Sequence, residues 1–146
     1  MSGKSAVILL VLFTIGFSIA LYYFQVFAFY KKSDGLSHIK VFARSVPVQN
    51  YRGIDSLTSG LKLRGCFTVD PNEFTDLPTL VRATPLSAPF WFDCFDNVKI
   101  QKAINTGEAK AFLVSENEKD GIDRVVAVYA NGKAFQWRQL NSKFLD

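Results

Sequence analysis

The stretch AVILLVLFTIGFSIALYYFQVFAFY, from Ala6 to Tyr30, runs for 25 residues without a charge. As a helix rising about 1.5 Å per residue it reaches roughly 37 Å, enough to cross a hydrocarbon core of about 30 Å with some tilt. Only Thr14, Ser18 and Gln25 interrupt the apolar run before its aromatic end. It therefore lacks the polar face of a soluble amphipathic helix, whereas a spanning helix satisfies its own backbone groups internally. Tyr22, Tyr23, Phe24, Phe27, Phe29 and Tyr30, followed by Lys31 and Lys32, have the make-up of an interfacial belt.

The rival reading is a cleaved signal peptide, with Lys4 as its basic start and Ser18 to Ala20 as a small-x-small site. Against it, the apolar run continues from Leu21 to Tyr30, where polar mature sequence should begin. A mature protein starting at Leu21 on amino-terminal sequencing excludes the anchor. Lysines flank both ends, so charge bias barely orients the segment. The short tail ahead of it is the usual layout of a signal anchor with the following domain exported. Gly16 and Ala20 make a small-x-x-x-small pair that permits close approach of a second membrane helix.

The expected organisation is a tail and transmembrane anchor over 1–31, a polar linker over 32–38 and a soluble domain over 39–146. The net charge of +4 belongs mostly to the membrane flank. Of 17 Lys and Arg, Lys4, Lys31 and Lys32 precede Ser33, leaving 14 against 13 Asp and Glu. The domain's basic residues are scattered, which speaks against both a nucleic-acid surface and a polybasic lipid-binding surface.

Along the domain, Ile39, Val41 and Ala43 alternate with Lys40, Phe42 and Arg44 as a first strand, which Pro47 is expected to end. VQNYRGIDSLTSG is rich in turn residues, with Tyr51, Ile54 and Leu57 spaced as a short helical turn. LKLRGCFTV predicts a half-buried strand with Leu61, Leu63, Phe67 and Val69 inward and Cys66 on the other face, unless Gly65 bulges. Asp70, Pro71 and Glu73 open a short helix that stops before Pro78. LVRATPLSAPFWFDCFDN is expected as an extended loop. Asp93 or Asp96 then caps a helix over VKIQKAIN, with Phe95, Val98, Ala103 and Ile104 as its apolar stripe and Gly107 as its stop. AKAFLVSE predicts a strand and NEKDG a turn, where Asp120 and Asp123 sit with Arg124 as charge partner.

RVVAVYANGKAFQWRQL predicts a hairpin around Asn131-Gly132. With a two-residue loop, Val128 faces Phe135 and Val126 faces Trp137, gathering those four on one face. Strands broken by one good helix predict an α+β domain on an antiparallel sheet, with one or two helices and a C-terminal hairpin, behind the transmembrane helix.

The two cysteines, Cys66 and Cys94, are the only intramolecular pair available for a disulfide, and an exported domain favours the bond. The alternative is two buried thiols in a domain facing the cytoplasm. No C-x-x-C spacing exists, and His38 is the only histidine, close behind the membrane segment. Metal binding, redox chemistry and Cys-His catalysis are thus poorly supported. Asp93 and Asp96 read as helix caps rather than an acid–base pair. No catalytic residue, metal site or cofactor is expected. Phe90, Trp91 and Phe92 cannot all point the same way, so they either plug one end of the sheet or offer a docking surface.

RGCFTVD, ATPLSAPFWFDCFD, GIDRVVAVY and WRQLN together resemble a family of small alphaproteobacterial membrane-anchored proteins of unknown function. The resemblance spans nearly the whole chain and implies the anchor-plus-domain architecture, with no activity or site residues attached. The expectation is a single-pass inner-membrane protein with its domain in the periplasm. The leading functional expectation is a non-enzymatic accessory subunit or assembly factor, in contact with the bilayer and with other membrane proteins. Two alternatives stay open: a small redox or metal-handling factor acting through Cys66 and Cys94, and an envelope ligand-binding domain with a defined apolar pocket.

Overall fold

A computed structural model of the chain describes residues 1–145. Gly3–Val26 forms helix α1, opened by Ser2, whose hydroxyl accepts the Ser5 N–H. Its 24 residues span about 36 Å at ordinary helical rise. The helix is long and apolar enough to cross a membrane, and no residue of it is buried against the rest of the chain. It stops short of the end of the apolar run: Phe27 to Phe29 turn the chain, with Phe29 at φ 66°.

Tyr30–Lys32 is already a strand, β1. The connector that follows is laid along a neighbouring strand, since Ser33 N–H and Gly35 N–H donate to the carbonyls of Gly53 and Tyr51, and Asp34 accepts Gly53 N–H. The remaining strands are β2 (His38–Val41), β3 (Arg44–Ser56), β4 (Arg64–Val69), β5 (Ala109–Lys119), β6 (Ile122–Tyr129) and β7 (Lys133–Leu140). All pairings are antiparallel, in the order β1-β3-β4-β7-β6-β5, with β2 attached to β3 alone. The domain is thus α+β, with a C-terminal hairpin of β6 and β7.

Two expectations fail together in β3. Pro47 lies inside the strand, and the turn-rich segment expected to be irregular supplies its second half. Val48 N–H points to Ser37, just ahead of β2, so the Pro47 nitrogen points the other way, where β4 has already ended at the Val48–Val69 pair. A missing donor costs nothing where no acceptor stands. A bulge between Gln49 and Arg52, with Asn50 at φ 54°, bends the long strand. The β2–β3 hairpin consequently curls over one sheet face until Phe42 N–H reaches the Val114 carbonyl at 2.7 Å.

That face holds the first core: Ile39, Val41, Val46 and Val48 pack on Phe67, Phe74, Phe112, Val114 and Val126. The opposite face is covered by the 75–96 loop and helix α2 (Asn97–Thr106), which close over Ile54, Cys66, Val125, Ala127, Phe135 and Trp137. Fully burying a side chain such as Phe74 or Ile100 contributes about 1.5 to 3 kcal/mol. Because both faces are covered, β4 is buried on both, correcting the half-buried expectation; Cys66 does oppose Phe67 and Val69.

Asp70 caps a single 3₁₀ turn, Pro71–Phe74. Asp96 caps α2, accepting from Val98 and Lys99 N–H, and Gly107 ends it at φ 81°. The stripe of α2 differs from expectation: Ile100 and Ala103 face the sheet, and Val98 is 71% exposed. Asp93 caps nothing and instead meets Arg52 at 3.2 Å on the surface.

The hairpin register is shifted by one from expectation, pairing Val128 with Ala134, Ala127 with Phe135 and Val125 with Trp137. The loop has three residues, Ala130 to Gly132, closed by Gly132 N–H on the Tyr129 carbonyl. Gly132 takes φ 91°, the left-handed residue of the three-residue hairpin. The shift exchanges faces: Val125, Ala127, Phe135 and Trp137 lie under α2, and Val126, Val128 and Ala134 lie under the curled hairpin. Arg124 pairs with Glu118 at 3.0 Å, whereas Asp120 binds Lys143 and Asp123 accepts from Asn117 and Asn141.

Candidate functional site

Two places gather the residues singled out in the sequence: the junction between α1 and the sheet, and a groove beside α2. At the junction the three consecutive rings separate. Phe92 turns inward and is buried in the second core, Trp91 is half-buried, and Phe90 is 69% exposed. Proline at position 89 and the turn it starts set this divergence, Phe92 N–H closing on the Pro89 carbonyl at 3.0 Å.

Trp91 joins the two parts of the molecule. Its indole Nε1–H donates to the carbonyl of Val26, the last residue of α1, at 2.7 Å. A helix ends with carbonyls that lack intrahelical partners, and this one is supplied from 65 residues downstream. The Trp91 ring stacks on Phe27 and meets Tyr30 edge-on, with centroids at 6.4 and 5.4 Å. Phe90 meets Phe27 edge-on at 5.8 Å. Lys32 lies 5.9 Å from the Trp91 ring and Lys62 4.8 Å from that of Tyr30. Burial raises the Tyr30 phenol above its ordinary value, with Arg64 opposing.

The loop bearing these rings is clamped to the sheet from below. Arg64 is only 5% exposed and has no carboxylate partner among the described residues; its guanidinium donates to the carbonyls of Leu61, Leu63, Leu86 and Ser87 at 2.6 to 3.2 Å. Burial pushes its pKa down to about 10. Gln139 works in parallel, accepting from Thr84 N–H and Trp137 Nε1–H and donating to the Arg82 carbonyl. A disulfide joins Cys66 on β4 to Cys94 just before α2, with Cα atoms 6.3 Å apart.

That disulfide borders the second place, an open groove of about 780 Å³ between α2 and the face of the sheet formed by β3, β4 and β7. Arg52, Lys99, Lys102 and Lys133 stand along it with Asp93, Asp96 and Glu108, over a floor that includes Phe135. Its walls are polar and mixed in charge. With both sulfurs bonded to each other, neither cysteine offers a thiolate to a metal, and among the described residues no three His, Cys, Asp or Glu cluster at ligand distance. His38 stands at the start of β2, hydrogen-bonded to the Ser37 hydroxyl. Gly16 and Ala20 lie on the bare surface of α1.

Sequence reasoning missed Arg64 and the Trp91–Val26 bond. Arg64 shares parity with Cys66, so a bridge that covers Cys66 also covers Arg64; that was the available signal. Nothing in the sequence connects Trp91 to Val26.

A family model described as a family of unknown function (DUF6446) matches residues 36–144. The chain belongs to this family. No curated protein and no solved structure matches the chain significantly. The DUF6446 match covers the sheet from β2 onward, together with α2 and the 75–96 loop, and so includes Arg64, both cysteines and the Phe90–Phe92 rings.

Proposed function

We propose that this chain is a non-enzymatic, membrane-anchored interaction protein: an accessory subunit or assembly factor of a bacterial inner-membrane complex, with its domain in the periplasm. The observation that carries the reading is the Trp91 bond to Val26 together with the immediate start of β1 at Tyr30. An enzyme tethered for convenience gains nothing from a fixed hinge. A subunit that must meet one partner with its helix and another with its domain gains a fixed angle between the two, and lower ordering entropy on binding. The Cys66–Cys94 bond is in keeping with an oxidising compartment.

Gly16 and Ala20 are the helix contact in this reading, and Phe90 is the one member of the ring triplet that is more exposed than buried. Crosslinking in native membranes followed by gentle solubilisation tests it. The expected result is a defined heteromeric product that is lost when Gly16 and Ala20 are both replaced by Ile. Recovery solely as a lone monomer sinks the reading.

A second reading, an envelope ligand-binding domain, draws on the groove's volume, which suits a small molecule; its walls are polar and charged where that reading expected an apolar pocket, so the ligand would be a polar one. Retention of a ligand through native mass spectrometry, abolished by Lys99→Glu with Lys133→Glu, would support it. A redox factor working through Cys66 and Cys94 separates from both, since replacing the pair by Ser would then abolish function at unchanged abundance.

A further inference from the structure

Apart from α1, nine large apolar side chains are exposed among the described residues, and four of them, Phe27, Phe29, Leu57 and Phe90, gather around the end of the helix. Leu57 is placed there by its neighbour: Ser56, the last residue of β3, pairs with Tyr30, and Leu57 follows it directly in a bend. The other five are dispersed over the β2–β3 turn, the connector, the loop, α2 and the C-terminal turn.

The patch is continuous with the helix ring by ring. Tyr23 stacks on Phe27 at 6.1 Å, Phe27 meets Phe90 at 5.8 Å, and Phe24, in the last turn of α1, stacks on Phe29 at 5.8 Å. A surface that begins inside a membrane-spanning segment and extends without a polar break onto the domain shares that segment's solvent. The aromatic character suits the headgroup level, where amphipathic rings concentrate. Lys31, Lys32 and Lys62 surround the patch, with no acidic partner among the described ion pairs. Cations so placed meet the phosphates of anionic lipids.

We propose that the domain lies down on the bilayer that α1 crosses, with Phe29, Leu57 and Phe90 inserted at its interface and Lys31, Lys32 and Lys62 against anionic headgroups. Phe90 comes from a loop more than 60 residues beyond α1, so it reaches the membrane only if the domain is docked there. The occupant of this patch is lipid, and a protein partner finds the domain's other faces. The inference rests on α1 as a membrane span, a part of the reading above that the test monitors separately.

The test uses the full chain in nanodiscs of phosphatidylcholine and phosphatidylglycerol, with a trifluoromethyl-phenylalanine placed at position 13 or at position 90. Phe13 reports on the span and Phe90 on the docking. The expected result is loss of the fluorine signal from both positions on adding an acyl-chain nitroxide lipid, and no loss from either with a water-soluble gadolinium chelate. Loss at position 13 only, with position 90 bleached by gadolinium, overturns the docking and leaves the span. Loss at neither overturns both. In discs of pure phosphatidylcholine the signal at position 90 should become sensitive to gadolinium; unchanged protection there overturns the role of the lysines.

Discussion

At the scale of single residues, Arg64 shows how a buried cation is kept without an anion. Four backbone carbonyls accept five hydrogen bonds from it, Nε–H being shared between Leu86 and Ser87, and the Phe95 ring lies 5.7 Å from the guanidinium. The carbonyls of the 86–87 loop segment would otherwise be buried or forced outward, so cation and loop satisfy each other. Arg64→Met should cost about 3 kcal/mol in denaturant unfolding, because it leaves acceptors unpaired in place. Arg64→Lys should recover less than half of that, since an ammonium cannot serve both sides of the fork. Glu118 gives a different residue-scale lesson. Burial raises its carboxyl, but hydrogen bonds and charge from Arg138 and Arg124 outweigh burial and bring it below its ordinary 4.5. Its folded value is thus lower than its unfolded one. The stability it confers is complete above pH 4.5 and is lost as pH falls through the folded value. Acid titration of unfolding free energy should show that loss, and Glu118→Gln should flatten it.

At the scale of elements, the β6–β7 hairpin depends on Gly132. A Cβ there would stand 2.7 Å from the Val69 carbonyl oxygen at a φ of 91°. Gly132→Ala should therefore cost about 2 kcal/mol, read by thermal unfolding, through left-handed strain and the clash together. The same loop explains what the sequence could and could not tell. Asn131-Gly132 announces a hairpin, but VVAV is apolar at every position because both faces of the sheet are buried, so alternation gives no vote on register. The Asp96 cap, the Gly107 stop and the Pro71 turn were legible because each is a local exchange of hydrogen bonds. Pro47 misled because its tolerance depends on where β4 ends, a fact belonging to a segment about 20 residues away. Tyr51 was read as part of a helical turn; in the sheet its ring lies over Gly53 and Gly65, where a Cβ would meet it at 2.5 and 2.8 Å. Its hydroxyl accepts from Gln136 at 2.6 Å. Two glycines facing each other across β3 and β4 were the clue to a ring lying flat on the strand pair.

At the scale of the whole molecule, the pairing of Cys66 with Cys94 was legible by elimination, while its mechanical role was not. The bond fixes the rear of the loop whose front carries Trp91. Replacing both cysteines by Ser should lower stability by about 3 to 4 kcal/mol in the loop-entropy picture, measured by denaturant unfolding in detergent. Trp91→Ala should leave the β5–β7 hydrogen exchange unchanged and speed that of Phe27 to Lys32, since it removes the Val26 bond and the stacking on Phe27. Slowed or unaltered exchange at Phe27 to Lys32 would contradict the latch.

The join between α1 and β1 has no swivel. Three residues turn the chain, Trp91 bolts the helix end, and the connector is stitched along β3. A helix about 36 Å long answers a thicker or thinner bilayer by changing its inclination. In this molecule the sheet must lean with it, like the dial of a compass fixed to its needle. Any change in the inclination of α1 is thereby carried to the outer face of the domain, with no joint between to absorb it.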